Sequence, residues 1–375
     1  MIHDLMDNWS YCLNILPKVS RTFALNIGVL RGDLHRSILT AYLFCRTIDT
    51  IEDAGKLDPQ TKIRLLLEFS RILEDSAYRE KALDSWIGQC AVVDGAANDL
   101  ALLSENRRVF NVFDSLKASH KEQIIPSVIR MAKGMSYFQK KFAFGKLTPL
   151  ENEDELEEYC YFVAGAVGEM LCNLFLTQLP GLPDEARETM KQNAVSFGLG
   201  LQMTNISKDV VVDRQRGWSY IPKESIREKG LTVEEFHKGT SMQKNLQVLE
   251  KLLQKTTGHL NDALKFTLAI PRHKIPLRLF CIWPLWMAME TVAVLHNNQA
   301  LLASAAPVKI SRGAVKKILR TTPWIASSNF LLKRSFEKII HNQVLQGHRS
   351  FDLENLHRRL DRIPLDTLVS SASGV

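Results

Sequence analysis

Apolar residues recur at helical spacing along most of the chain. Residues 62–73, KIRLLLEFSRIL, show this pattern, with apolar side chains separated by three or four positions. No segment of strand length alternates apolar and polar residues, and no internal repeat is present. The pattern therefore predicts an all-α protein. The predicted helices cover residues 62–73, 124–138, 155–176, 188–213, 245–267 and 278–295.

The breaks between these helices are short and contain Gly or Pro. With only 19 Gly and 13 Pro in 375 residues, long loops are few. We expect one all-α domain over residues 1–368, with helices packed around a central apolar cavity. Residues 369–375 are mostly small or polar and are predicted to form a frayed tail. The breaks lie at residues 54–55, 179–183, 216–217 and 270–271.

The composition is that of a folded globular protein with an excess of positive charge. Apolar residues make up 45% and charged residues 24% of the chain. The net charge of +7 favours an anionic partner, a polyphosphate or a membrane surface. Nucleic acid is not expected as a partner, because the positive charge is interpreted as scattered along the chain rather than gathered in one basic tail. The six cysteines show neither CxxC nor metal-ligand spacing, which is typical of reduced thiols in a cytosolic protein.

The chain shows no predicted targeting segment. Its first residues carry Asp4 and Asp7 and lack the basic and then apolar order of a secretory signal. The most apolar stretch, residues 279–295, is interrupted by Pro284 and Glu290, so it predicts a pair of buried helices. We therefore expect a cytoplasmic protein without a transmembrane anchor, either soluble or peripherally attached to a membrane.

Two pairs of carboxylates carry most of the functional information. Asp49 and Asp53 form the first pair, and Asp209 and Asp213 form the second. Residues four apart share a helix face, where two like charges destabilise a helix by a few tenths of a kcal/mol, roughly. A bound cation would offset this repulsion. Oxygen ligands without a nearby His or Cys favour Mg²⁺, which takes substrate phosphates as further ligands.

Cationic and hydroxyl side chains accompany the first pair. Tyr42, Arg46 and Asp49 fall near one helix face. Arg46 could pair with Asp49 or reach a phosphate, and the alternative is a simple surface ion pair between the two. Upstream, Arg21 follows Ser20, and an Arg fork suits phosphate oxygens.

The second pair extends to a third oxygen ligand. Asn205, Asp209 and Asp213 are spaced four residues apart on one face and form a plausible metal shelf. The alternative is a solvated helix end. Residues 210–212 are all Val and would make a poorly solvated outer face, so we expect the carboxylates to point into a cavity. The cations beside this face are Lys208, Arg214 and Arg216.

Two Mg²⁺ shelves across an apolar cavity indicate a particular chemistry. The metals would hold a diphosphate and help it leave, which generates a carbocation. An apolar cavity would hold a hydrocarbon and keep water away from that cation. The pattern therefore predicts prenyl-diphosphate chemistry.

Five regions of the chain resemble the squalene/phytoene synthase family, most closely its squalene-forming members. Together they extend from about residue 19 to residue 313, in an order and spacing that are very specific. The stretches are VSRTF (19–23), YLFCRTIDTIED (42–53), YCYFVAGAVGEML (159–171), GLQMTNISKDVVVDRQRG (200–217), and LHNNQ (295–299) with VKISRG (308–313).

The resemblance implies an isoprenoid synthase helical bundle and a farnesyltransferase of isoprenoid and lipid metabolism, serving sterol or hopanoid biosynthesis. Two farnesyl diphosphates would condense head to head to presqualene diphosphate. This intermediate would then ionise, rearrange and accept hydride from NADPH to give squalene. No GxGxxG follows a strand, so the NADPH site would not be a Rossmann site.

The resemblance also implies the roles of individual residues. Tyr159 would assist proton removal or stabilise a cation, and Lys208 stands where many relatives have Arg, so the bidentate fork is lost. The catalytic residues would be Tyr159, Asp49, Asp53, Asp209 and Asp213. The Mg²⁺ ligands would be Asp49, Glu52, Asp53, Asn205, Asp209 and Asp213. Substrate contacts would come from Ser20, Arg21, Phe23, Tyr42, Arg46, Asn205, Lys208 and Arg216. NADPH would contact Asn298, Lys309 and Arg312.

Other interpretations remain open at this point. Tyr159 lies in an aromatic helical stripe of the kind that usually forms a core, and Lys309 and Arg312 fit an ordinary basic loop. Gly165 and Gly168 predict either a kink or close helix packing. The alternative enzymes are a non-reductive dehydrosqualene or phytoene synthase and a class I terpene cyclase. The remaining alternative is a non-catalytic lipid-binding helical protein.

Overall fold

The structure is almost entirely helical. The computed structural model describes residues 2–141, 145–303, 308–341 and 351–365. Within these ranges the strands are β1 (Thr148–Pro149) and β2 (Trp218–Ser219), which pair in parallel. The prediction of an all-α protein is confirmed. The described residues form two compact units: unit 1 has residues 2–141, 173–178 and 363–365, and unit 2 has residues 145–172, 179–303, 308–341 and 351–362.

Unit 1 is built on an aromatic core between its longer helices. Phe44 lies 4.7 Å from Phe110 and 5.7 Å from Phe69, measured between ring centroids. The predicted helices at 62–73 and 124–138 lie within longer helices and are confirmed. The helices are α1 (Ile2–Val19), α2 (Arg21–Gly28), α3 (Gly32–Asp53), α4 (Pro59–Glu74), α5 (Ser76–Gln89), a 3₁₀ turn (Cys90–Val92), α6 (Ala97–Ser104), α7 (Asn106–Asp114) and α8 (Ala118–Lys141).

Local sequence explains where several of these helices begin. Asp58 precedes Pro59 at the start of α4, and its carboxylate accepts a hydrogen bond from the Thr61 amide. Pro suits the first helical position because its missing N–H would have no helical partner there. Asp75 caps α5 in the same way, so one residue ends α4 and starts the next helix.

Unit 2 is organised around two long helices that pack on each other. The predicted helices at 188–213 and 245–267 lie within these two, α11 and α14, and are confirmed. The helices that follow α8 are α9 (Glu153–Cys160), a π-helical segment (Tyr161–Gly165), α10 (Ala166–Thr177), α11 (Asp184–Gln215), α12 (Lys223–Arg227), α13 (Val233–Lys238), α14 (Met242–Ala269), α15 (Ile275–Leu295), α16 (Ala300–Ala303), α17 (Arg312–Ile325), α18 (Asn329–His341) and α19 (Leu353–Leu360).

The predicted helix at 155–176 is interrupted by a π-helical segment. A π turn inserts one residue into the helical ladder, which a search for 3.6-residue periodicity does not detect. The structure supports close packing as the reason for the two glycines. Gly165 lies in the π segment, and a Cβ on Gly168 would overlap the carbonyl oxygen of Ala194 on α11. Close backbone packing therefore requires glycine on this helix.

The most apolar stretch forms one helix, so the predicted pair of helices is wrong. Pro284 lies inside α15, which continues from Ile275 to Leu295. Proline removes one backbone donor, but burial on nearly all sides of α15 outweighs this local cost. By length and composition alone, Glu153–Thr177 and Ile275–Leu295 could each cross a membrane. The second is 72% buried, as is usual for a core helix, so this is weak evidence for a span.

Two further predictions concern the chain ends and the domain boundary. The frayed tail at residues 369–375 lies outside the described residues, and the boundary at residue 368 stays a prediction. All six cysteines are buried and free of disulfides. This agrees with the interpretation of the cysteines as reduced thiols.

Candidate active site

The first carboxylate pair lies in the last turns of α3, in unit 1. Asp49 is half-buried, Asp53 is exposed, and Glu52 is only 4% exposed. Burial raises the pKa of Asp49 to about 7, with smaller contributions from Asp53 and Asp99, while Arg46 opposes the rise. A carboxylate in this setting gains from any cation that restores its ionised form.

Arg46 has a partner that sequence reasoning missed. Its Nε and Nη2 donate to Oδ1 and Oδ2 of Asp99 at 2.9 and 2.6 Å, a bidentate pair. Asp99 lies in the first turn of α6, and no motif marks it because it is about fifty positions from Arg46 in the chain. The alternative of a simple surface ion pair between Arg46 and Asp49 is therefore wrong, because Arg46 pairs with Asp99. The donors that Arg46 does not use there remain able to meet a diphosphate oxygen.

Ser20, Phe23 and Tyr42 come together at the start of α2. The Ser20 hydroxyl caps α2 by accepting from the Phe23 amide at 3.2 Å, and the rings of Phe23 and Tyr42 lie 5.0 Å apart. Burial raises the pKa of Tyr42 to about 12, opposed by its hydrogen bond to Ser20 and by Arg46. Arg21 is exposed. The structure therefore brings most of the predicted substrate contacts of unit 1 into one group.

The second carboxylate pair lies in the last turns of α11, in unit 2. Asn205 is exposed, and Asp209 and Asp213 are partly buried. The ammonium group of Lys208 lies 3.1 Å from Asp209 Oδ2 and 3.4 Å from Asn205 Oδ1, so it spans two of the three predicted ligands. Val210 and Val211 are buried and Val212 is partly buried, so the expectation that residues 210–212 form an outer face is wrong.

A surface pocket opens beside the end of α11. Its volume is about 510 Å³, and Arg214, one of the predicted cations, lies in its wall. The Arg214 guanidinium donates to the carbonyl oxygen of His237 on α13. None of the predicted metal ligands lines this pocket, which is formed by Leu147, Arg214, Val233, Glu234, His237 and Lys238. Arg216 ends α11 and is exposed.

Tyr159 is a buried residue with a tyrosine partner. It lies in the last turn of α9, two residues before the π segment begins, and is 3% exposed. Its hydroxyl donates to the Tyr220 hydroxyl at 3.0 Å, and the two rings stack 4.5 Å apart. Tyr220 was not predicted, although its position just after the second acidic motif is a weak signal. Tyr159 can therefore pack in the core and still carry a reactive hydroxyl, because its hydrogen bond to Tyr220 orients the phenol.

The predicted NADPH contacts lie in and after the turn that follows α15. Both side-chain amide atoms of Asn298 are used locally, by Val294 O at 2.9 Å and by the Ala300 amide at 2.9 Å. Lys309 and Arg312 are exposed at the start of α17. Two exposed cations suit phosphate groups, and the side chain of Asn298 helps to form the turn.

The donor chemistry of both helix faces fits Mg²⁺. Over the residues that the structure describes, no three His, Cys, Asp or Glu side chains gather into a closed metal site. Mg²⁺ does not need such a cage, because it keeps waters and binds through one or two carboxylates plus substrate phosphates. Asp49 with Asp53 and Asp209 with Asp213 each supply such a pair. Glu52, being buried, is the least accessible of the predicted ligands.

Sequence comparison matches the chain to one family of known proteins. The squalene/phytoene synthase family model matches residues 16–314. Squalene synthase 10 of Panax ginseng is 30% identical over 318 residues, covering 84% of this chain and 70% of its own length. The squalene synthase of Candida albicans is 30% identical over 349 residues, covering 89% of this chain and 72% of its own.

Solved structures share the fold. TcSQS in complex with the ligand BPH1237 has a TM-score of 0.76 at 22% identity, covering 97% of this chain and 99% of that one. A dehydrosqualene synthase in complex with a ligand has a TM-score of 0.55 at 19% identity, covering 90% and 99%. At these identities the likeness shows the helical fold alone.

Proposed function

Since this chain belongs to the squalene/phytoene synthase family, a family of prenyltransferase-type enzymes, we propose that it is a squalene synthase. It condenses two farnesyl diphosphates to presqualene diphosphate and then converts this intermediate reductively to squalene. The observation that carries the proposal is the pair of carboxylate faces on α3 and α11, each beside a cation. It acts in the cytoplasm at the surface of a membrane, which receives its hydrocarbon product.

The residues of this chain divide the work between binding and proton transfer. When bound, Mg²⁺ supplies the positive charge that lets diphosphate leave, and Asp49, Asp53, Asp209 and Asp213 would hold it, with Asn205 as a further ligand. In unit 1, the group of Ser20, Arg21, Phe23, Tyr42 and Arg46 binds the substrate diphosphate and its first carbons. In unit 2, Lys208 and Arg216 do the same.

Tyr159 acts on the substrate after diphosphate has left. Its hydroxyl, oriented by Tyr220, removes a proton or stabilises the cation in the first half-reaction. The buried position of both rings keeps water from the cation. Lys309 and Arg312 would bind the phosphates of NADPH, which supplies hydride in the second half-reaction.

Product analysis tests the whole proposal. Purified protein is incubated with farnesyl diphosphate and Mg²⁺, with and without NADPH, and extracts are analysed by gas chromatography–mass spectrometry. We expect squalene only with NADPH and presqualene diphosphate without it. An unreduced C30 polyene in both reactions would assign the chain to the dehydrosqualene synthases. No released diphosphate from any prenyl donor would contradict an enzymatic function.

The tyrosine pair has a matched test. Tyr220→Phe keeps the stacked ring and removes only the hydroxyl that orients Tyr159, so we expect turnover to fall about tenfold. Tyr159→Phe should cost more, because it removes the reacting group itself. Equal turnover in Tyr220→Phe and wild type would show that Tyr159 is oriented by packing alone.

A further inference from the structure

Three large apolar side chains project from the corner between α17 and α18. Trp324 is 86% exposed, Phe330 is 69% exposed and Leu331 is 42% exposed. Trp324 lies in the last turn of α17, and the other two lie in the first turn of α18, only six and seven positions later. Exposed apolar groups that cluster in this way mark interaction surfaces more often than isolated ones do. We call these three residues the apolar corner.

Hydrogen bonds from α15 hold the two helices that carry the apolar corner. The indole N–H of Trp283 donates to the Thr322 hydroxyl at 3.0 Å, and that of Trp286 donates to the Ser335 hydroxyl at 3.1 Å. Both tryptophans belong to the buried helix α15. On the inner side, Leu332 is fully buried. The exposed side chains therefore project from a fixed backbone rather than from a fraying end.

Positive charge is concentrated in the segment that contains the apolar corner. Residues 309–338 contain eight Lys or Arg and one acidic residue, Glu337, an excess of seven. The whole chain has a net charge of +7, so the remaining residues balance one another. The expectation of scattered charge is wrong, because this segment holds the entire excess. All eight cations are exposed: Lys309, Arg312, Lys316, Lys317, Arg320, Lys333, Arg334 and Lys338.

We propose that the apolar corner and the cations one helical turn from it, Arg320, Lys333 and Arg334, dock on the surface of a bilayer that contains anionic lipids. Trp and Phe insert at the boundary between headgroups and acyl chains, and Lys and Arg nearby pair with anionic headgroups. A protein partner would need a complementary acidic surface, whereas a bilayer supplies negative charge and an apolar interior together. This deepens the membrane contact proposed above, but it does not rest on which product the enzyme forms.

The docking surface is separate from the proposed NADPH contacts. Arg312 begins α17, and Trp324 follows twelve residues later, about 18 Å along the helix axis. The test therefore leaves Lys309 and Arg312 unchanged. It uses one variant that removes the apolar contacts, Trp324→Ser with Phe330→Ser, and one that reverses charge, Lys333→Glu with Arg334→Glu.

Vesicle flotation measures the proposed docking directly. The full chain is mixed with vesicles of phosphatidylcholine alone or with added phosphatidylglycerol, at low and high salt. We expect wild type to float with anionic vesicles, and less at high salt. Each double variant should lower the vesicle partition coefficient at least about tenfold. Val92→Ser, which changes an exposed apolar residue in unit 1, serves as the matched control and should float like wild type.

The outcomes separate this proposal from the enzymatic one. Turnover of farnesyl diphosphate in detergent should be the same in both double variants as in wild type. Wild-type protein that does not float with anionic vesicles would overturn docking, as would a Trp324→Ser, Phe330→Ser variant that floats equally well. If wild type does not float and forms a dimer that only the Trp324→Ser, Phe330→Ser variant abolishes, the apolar corner would be the contact with a second copy of the chain. Flotation without product formation would contradict only the proposed reaction.

Discussion

The carboxylate faces of α3 and α11 have the same spacing but different surroundings. On α3, Asp49 is half-buried with a raised pKa, and the nearby cation Arg46 is held by both oxygens of Asp99. On α11, Lys208 reaches across the carboxylate face itself, as a single charge on a flexible stem. The spacing determines which side chains share a face, whereas the neighbours determine whether a cation there is fixed or can move.

The largest expected effect comes from removing one carboxylate of either pair. Asp49→Asn and Asp213→Asn should each lower turnover at least about a thousandfold, because each removes a ligand of the charge that lets diphosphate leave. The thermal midpoint should stay near that of wild type in both. For Asp49→Asn it should be equal or higher, because the variant removes a carboxylate whose ionised form is disfavoured by burial.

The control for this prediction is Asp84→Asn, at an exposed carboxylate of α5 that pairs with Arg107. It should retain full turnover. Normal turnover in Asp49→Asn or Asp213→Asn would mean that the corresponding helix face holds no metal.

The next effect tests whether Arg46 is fixed. Asp99→Asn leaves the Arg46 guanidinium without its bidentate partner, and the Asp99 side chain is only 9% exposed. Removing one partner of a buried pair is strongly destabilising, and because Arg46 is partly exposed we expect a loss of about 3 kcal/mol in urea unfolding. Asp84→Asn breaks a surface pair and should cost less than about 1 kcal/mol. Equal losses in both variants would mean that Arg46 is no more fixed than a surface residue.

A third effect is the pH dependence of stability that a buried histidine beside α11 produces. His259 on α14 is buried, with Nδ1 3.1 Å from the Ser196 hydroxyl of α11. Burial lowers the pKa of His259 to about 3, Lys255 adds to this, and Asp262 opposes it. The folded protein keeps His259 neutral, while the unfolded chain binds a proton below about pH 6.5. Stability contributed by this group is therefore present above pH 6.5 and is lost as the pH falls.

The measurement is the free energy of unfolding in urea at pH 7.5 and at pH 5. For this one group the loss should be roughly 2 kcal/mol. His259→Gln should remove that part of the pH dependence. An unchanged pH dependence in the variant would assign the acid sensitivity to other groups.

The smallest effect concerns Lys208. Lys208→Ala should change the free energy of unfolding by less than about 1 kcal/mol, because its pairs with Asp209 and Asn205 are partly solvated. Its KM for farnesyl diphosphate should rise a few-fold, roughly, if the ammonium group meets diphosphate. Lys208→Arg should keep or lower KM, since a fork binds phosphate through two bonds. A KM that does not respond to either substitution would assign Lys208 to the carboxylates alone.

The sequence by itself determined which elements form and which side chains share a face. The long helices α4, α8, α11 and α14 follow from apolar periodicity, and the two Asp pairs follow from a spacing of one helical turn. These features depend on neighbours a few residues apart, so local rules suffice to find them. The motif order then identified the family, which the comparisons confirm.

Only the tertiary structure decided the partners and the surroundings. Asp99 meets Arg46 and Tyr220 meets Tyr159 across many tens of residues, and no local pattern encodes such contacts. The π segment before α10 and the continuous α15 depend on packing that overrides local preference. Exposure is likewise a property of the fold. Trp324 and Trp286 are both tryptophans within helices, but Trp324 projects into solvent and Trp286 is buried. Only packing determines which side of a helix is covered.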